Sequence, residues 1–140
     1  MKSGYLSDKD YNFIYSNVPR ICVDIIIEGI PGEILLLKRD AQPYKGKWHL
    51  PGGRIKFRES VHKAIKRIAK NELGIKVKIG SFIGFMEFPL ETQNGNKRHS
   101  ISLAFNCLPL NVLKNGCYKN IHKEKNMHPV HFKFLRQYYK

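Results

Sequence analysis

With 140 residues, 42% of them hydrophobic, the chain has the size of one domain, 1-140, and buries enough surface to fold without staples. Its three cysteines, Cys22, Cys107 and Cys117, form no C-x-x-C pair and leave an odd count, which points to a reducing, cytoplasmic setting. A formal charge of +14 raises nucleic acid as a partner, but the lysines are scattered and the aromatics are not interleaved with them, so specific nucleic-acid binding is disfavoured.

No apolar run of signal-peptide type follows Lys2, and the most apolar stretch, Val23 to Ile27, is broken by Asp24, so no segment is expected to enter or span a membrane. Ser7 followed by Asp10 is a capping-box-like start for a short helix over Tyr11 to Ser16, which Pro19 ends. Val23 to Ile27 and Glu33 to Arg39 read as two strands joined in a hairpin by the turn 29–32. Ala41 to Lys47 is a loop and Trp48 to Leu50 a short strand. Gly52-Gly53 reads as a tight turn using glycine's freedom at positive φ. Ser60 caps the main helix, which runs to about Leu73 and stops at Gly74. Lys76 to Met86 and Ser100 to Leu108 alternate as paired strands, with Glu91 to Lys97 as their loop. Pro109 to His128 is polar and poorly patterned, and His131 to Leu135 is a last short strand. A helix after the third strand of a mixed sheet suits an α+β sandwich.

One acid stands out. At about 100° per residue, Val61, Ile65, Ile68 and Glu72 share a narrow arc, so Glu72 continues an apolar stripe. A carboxylate there needs a salt bridge, hydrogen-bond donors or a bound cation, since burying it alone costs several kcal/mol. A neighbouring lysine or arginine in the helix's last turn is the plain solution, and a cation site is the functional one.

Gly53, Glu59, Arg67, Glu72, Gly74 and Ile75 match the spacing G-x5-E-x7-R-E-U-x-E-E-x-G-U (U aliphatic), and the run resembles the motif of Nudix hydrolases. Ile68 and Asn71 stand where that motif has glutamates, and Ala69 takes the aliphatic position. Two of three usual metal-binding carboxylates are missing. One remaining acid supports one Mg²⁺, with Mn²⁺ as the alternative, rather than a cluster. The chain is similar here to the family's GDP-mannose mannosyl hydrolase branch, whose motif keeps only the last glutamate. Segments 6–28, with Pro19 and Asp24, and 32–54, with Arg39 and W-x-x-P-G-G-R, extend the likeness over roughly the first 85 residues.

The resemblance implies a Nudix fold, a mixed sheet between helices, with the usual C-terminal helix short or absent because only residues 136–140 follow the final strand. It implies a nucleotide-sugar substrate, with Glu72 and the Gly52 carbonyl as metal ligands. Arg39 and Arg54 would face the diphosphate, Asp24 would contact the substrate's base or sugar, and Glu59 and Arg67 would hold the helix from behind. Asp24 is also read as a cap for the 29–32 turn or a partner of Arg39. The branch's base is a histidine before the last strand, preceded by a metal-binding glutamine; no glutamine stands here. His122, His128 and His131 are candidates and His128 lies nearest, although ungapped alignment puts it on the glutamine's position and Pro129 on the base's. Phe88 and Ser100 replace an expected histidine and tyrosine. Hydrolysis at the anomeric carbon is the first expectation. The alternatives are P–O cleavage, for which Glu87 or Glu91 would supply extra acids, and a silent nucleotide- or RNA-binding module. A homodimer is compatible with all three.

Overall fold

A computed structural model describes residues 6–139, which form three α-helices and seven strands; Lys2 and Lys140, which figure in the sequence expectations, lie outside the described residues. Helix α1 (Asp8–Tyr15) starts where the Ser7 hydroxyl accepts the Asp10 amide at 3.2 Å. Strand β1 (Arg20–Ile26) then enters the middle of a four-stranded sheet. It lies antiparallel to β4 (Gly52–Arg54) and parallel to β6 (Asn96–Pro109), which pairs in turn with β5 (Val77–Gln93), giving the order β4-β1-β6-β5. A second sheet places β2 (Glu33–Lys38) between β3 (Trp48–His49) and β7 (Cys117–Asn120).

Helices cover both faces, so the inner strands are apolar on both. Val23 and Ile25 of β1 and Leu35 and Leu37 of β2 pack on Ala64, Ile65 and Ile68 of α2 (Val61–Ile68). Ile26, Ile34 and Leu36 meet Phe134 and Leu135 of α3 (Pro129–Tyr138) on the other side. Each such aliphatic side chain contributes about 1.5–3 kcal/mol by leaving water. Because side chains alternate along a strand, Arg20, Cys22 and Asp24 share the Ile26 face. That face is apolar beneath α3 and polar beyond it, and the polar end is open as a cleft.

Several expectations are corrected. β1 and β2 are joined as predicted, but they form no hairpin ladder: a single Glu28–Ile34 bridge holds the turn, after which the strands diverge into different sheets, since both edges of β1 are taken by β4 and β6. The expected loop from Glu91 to Lys97 is a two-residue turn, Asn94-Gly95, with φ of 50° and 79°, so β5 and β6 run on to meet there. β7 emerges from the stretch that lacks a sequence pattern. His131 to Leu135 is not a strand but the body of α3, a ten-residue closing helix whose start is set by His128 as N-cap and Pro129 in its first turn. Gly52 and Gly53 do not have positive φ; they lie in β4, and glycine is needed at 52 because a Cβ would run into the Asp24 carboxylate and come within 2.6 Å of the Val23 carbonyl.

The main helix holds the remaining difference. Ser60 caps it, accepting the Lys63 amide at 3.1 Å, but the α-helix gives way at Ala69–Leu73 to a π-helical turn that ends on Gly74 at φ 67°. Glu72 still follows Ile68 on the face turned to β4, since the Ile68 side chain borders Gly53 and the Glu72 carboxylate meets the neighbouring Gly52 amide.

Candidate active site

The polar end of the β1 face opens into a cleft of about 250 Å³ that brings together Asp24, Arg39, Gly52, Arg54, Glu72 and His128. Strands β1, β2 and β4, the π-turn and the start of α3 deliver them. Glu59, Arg67 and His122 lie outside it: Arg67 grips Glu59 through Nε and Nη2 at 2.8 and 2.9 Å and donates to the Arg54 carbonyl at 2.8 Å, so it ties the helix to the end of β4. The Arg67 guanidinium in turn holds the Glu59 carboxyl below the usual carboxylate range.

The Gly52 amide donates to Glu72 Oε1 at 2.9 Å, which places this carboxylate at the β4 edge of the cleft. Burial raises the Glu72 pKa, opposed by that amide and by the charges of Arg39 and Arg67. Asp24, on the other side of Gly52, is 6% exposed. It accepts from the Ser102 hydroxyl of β6; it neither caps the 29–32 turn, where Glu28 accepts the Gly32 amide at 3.3 Å, nor pairs with Arg39. Burial pushes its pKa up to about 7, with the Ser102 hydrogen bond opposing and the nearby Glu72 charge adding. Two half-to-fully buried carboxylates on either side of one glycine, with the Glu72 charge disfavouring ionisation of Asp24, form a hard oxygen set, and this donor chemistry fits a divalent cation. No group of three or more acidic, histidine or cysteine side chains forms a metal cluster among the described residues.

Arg39 donates through Nε to the Pro43 carbonyl at 2.6 Å, which braces its guanidinium at the rim. Arg54 lies 5.5 Å over the rings of both Tyr11 and Tyr15. Opposite them, His128 is buried as the N-cap of α3. Its Nδ1 accepts the Val130 amide at 3.2 Å and its Nε2 lies 3.3 Å from Glu91 Oε2. The tautomer that satisfies both contacts carries the proton on Nε2 and donates it to Glu91, leaving neither ring nitrogen with a free lone pair. His131 is committed as well: its Nδ1 accepts the Leu50 amide at 2.9 Å, and burial, with His128, His49 and Arg39 nearby, drives its pKa well below the ordinary value.

Motif and spacing do not single out His49, Arg20, Arg98 and Ser102, yet all four line the cleft. The Leu50 carbonyl lies 2.7 Å from His49 Nδ1 and takes its proton, so Nε2 is the basic nitrogen; burial lowers the His49 pKa. Arg20 carries a usable signal, since it sits four residues before Asp24 with the same strand parity. Arg98 and Ser102 carry none, because pairing with β1 is what brings them in.

Residues 18–133 match the NUDIX domain, and the chain belongs to the Nudix family. It is 33% identical over 103 residues to the low-salt glycan biosynthesis protein Agl8 of Haloferax volcanii, covering 71% of this chain and 65% of that one. It is also 39% identical over 87 residues to the ADP-ribose pyrophosphatase of Methanocaldococcus jannaschii, covering 62% and 49%. The chain thus spans between about half and two thirds of these relatives' lengths. The crystal structure of a MutT Nudix hydrolase from Burkholderia pseudomallei superposes with a TM-score of 0.71 at 23% identity, over 86% of this chain and 98% of that one, which shows the shared α+β Nudix fold. No helix among the described residues is long and apolar enough to cross a membrane.

Proposed function

We propose that this chain hydrolyses a nucleoside diphosphate sugar with one divalent cation, Mg²⁺ or Mn²⁺, and that water attacks the anomeric carbon, as the resemblance to GDP-mannose mannosyl hydrolases implies. The observation that carries the reading is the poverty of the motif's acids. Glu72 alone faces the cleft from the motif's metal positions, while Ile68 is 3% exposed in the core and Asn71 points to solvent. Glu72 and Asp24, with the Gly52 carbonyl, would hold the cation, which when bound neutralises the diphosphate as leaving group.

This chain's own residues supply the rest. Arg39 and Arg54 grip the diphosphate through forked donors. Glu91, aimed by the His128 Nε2 proton, takes the proton of the attacking water. His128, the base that the resemblance implies, instead positions Glu91, because its lone pair is occupied by the Val130 amide. Glu91 also favours a second reading, P–O cleavage, since it adds an acid from outside the motif and one relative bears the name ADP-ribose pyrophosphatase. A nucleotide-sugar panel hydrolysed in ¹⁸O-labelled water separates the two. Label in the sugar supports attack at carbon, label in a phosphate supports the second reading, and no metal-dependent turnover on any substrate overturns both in favour of a binding module.

A further inference from the structure

The end of the cleft away from Glu72 holds two arginines that neither the cation site nor the diphosphate grip uses. Arg98, on β6, is 3% exposed. Its Nη1 and Nη2 are spent on neutral acceptors, the Lys97 carbonyl at 2.9 Å, Ser16 Oγ at 3.5 Å and Asn12 Oδ1. Its Nε is the only buried side-chain nitrogen or oxygen without a hydrogen-bond partner among the described residues. Arg20, on the adjoining β1, donates Nε to Ser100 Oγ at 3.0 Å and Nη1 to Tyr11 Oη at 2.8 Å and Gln93 Oε1 at 3.5 Å, again all neutral, and its Nη2 makes none of these bonds.

Among the described residues neither arginine has a carboxylate in salt-bridge range; the ion pairs formed near the cleft are Arg67–Glu59 and His128–Glu91. Glu91 is the cross-strand partner of Arg98 in the β5–β6 register, yet its carboxylate turns to His128. A guanidinium buried without a counter-charge is costly, and an orphaned donor on it adds to the cost. Natural folds tolerate such a group where water, an ion or a ligand supplies what is missing, and here the group borders an open cleft.

Position says which ligand. Along the backbone Arg20 lies four residues from Asp24, roughly 13 Å at about 3.3 Å per residue, and its guanidinium is held at its own level of the strand by Ser100, its cross-strand partner. A diphosphate anchored at the cation site does not extend that far. We infer that the Arg20–Arg98 end is a second anion subsite, and that the substrate carries, beyond its diphosphate, a further phosphoryl or carboxylate group. The inference rests on the cleft being the nucleotide-sugar site proposed above and narrows it to acidic members of that class. Both arginines also hold α1 against the sheet through Tyr11 and Asn12, so an arriving anion would tighten that helix over the cleft.

Turnover of the full chain with Mg²⁺ is compared for nucleoside diphosphate hexoses, the corresponding uronates, and sugars bearing an extra phosphoryl group. One of the two acidic series is expected to exceed the neutral one in kcat/KM by about tenfold or more, the span of a charge-assisted hydrogen bond, and which series wins identifies the anion. Arg98→Gln should collapse that preference, mainly through KM, while Arg98→Lys restores part of it. Arg20→Gln serves if the Arg98 variants do not fold. A wild type indifferent to the extra charge, or a variant that loses all three series in equal proportion, overturns the inference and leaves the arginines as a latch for α1. If nothing is turned over, the proposed function has failed separately. The subsite is then read by NMR in EDTA with inorganic phosphate and glucuronate as probes: saturable shifts of the Arg98 and Arg20 Nε–H signals uphold it, and their absence overturns it.

Discussion

Replacing Asp24 with asparagine should stabilise the metal-free protein, and by an amount that depends on pH. The Asp24 carboxyl titrates at about 7 when folded against 3.8 as its reference value, a difference of about three units, which at 1.36 kcal/mol each is about 4 kcal/mol. Between these values the folded protein keeps a proton that the unfolded chain has released. Folding therefore takes up protons in that window, and stability falls as pH rises through it, with the full loss reached above about 7. Asparagine is neutral throughout, and its carbonyl can still accept the Ser102 hydroxyl. The Asp24→Asn chain in EDTA should match the wild type at about pH 4 and exceed it by a few kcal/mol at about pH 8, or about 10 °C in Tm for a domain of this size. Thermal melts followed by circular dichroism across that range test it. A Tm difference that does not change with pH, or an asparagine variant less stable than wild type at the alkaline end, would refute the argument that a buried, strained charge sits beside Gly52. Adding Mg²⁺ should reverse the order, because a cation rewards the ionised form that asparagine cannot supply.

Glu72→Gln should abolish Mg²⁺-dependent turnover while the melt in EDTA stays at or above wild type, since one buried charge is removed; equal activity with Mg²⁺ would sink the cation assignment. Glu91→Gln should lower kcat by about 10²–10⁴ with KM little changed, and His128→Gln should cost less, since its role is to aim the carboxylate; a larger loss at His128 would return the base to the histidine. Hydrolysis in ¹⁸O-water is expected to label the sugar, with inversion at the anomeric centre shown by NMR of the first product. RNA binding, if measured by filter retention, should collapse with rising salt and show no sequence preference, and tight selective binding at physiological salt would speak for a binding module instead.

Local signals carry much of the architecture. Ser60 and Gly74 bracket the helix because capping chemistry acts over a few residues, and the likeness carried by the spacing from Gly53 to Ile75 places Glu72 beside Gly52, where the Gly52 amide does meet its carboxylate. The departures have physical causes too. Val130, Phe132 and Phe134 are β-friendly residue types, whereas the tertiary contacts of His131 with Phe88 and Leu50 accompany a helix capped by His128 and Pro129. Asn94-Gly95 is a readable hairpin signal that the polar residues around it obscure. Arg98 cannot be assigned from spacing, and Glu91 is legible only as one of two spare acids with Glu87, because their place in the cleft depends on a long hairpin and on pairing between segments far apart in the chain.

The π-helical turn makes the length of this helix matter in a way its composition does not. Residues 69–73 occupy a wider coil than the α-helix before them, so the segment holds slack that an ordinary helix lacks. Deleting the exposed Lys70 could be absorbed by relaxation to α-helical winding, and the core contacts of Ala64 and Ile65 upstream would be spared. Glu72 would not return to Gly52, because its direction is set by the count of residues between Ile68 and Gly74. A change of length in residues 69–73 can therefore separate Glu72 from Gly52 while the fold is kept, so related chains align over this turn only when residues are counted to the terminal glycine rather than acids matched one at a time.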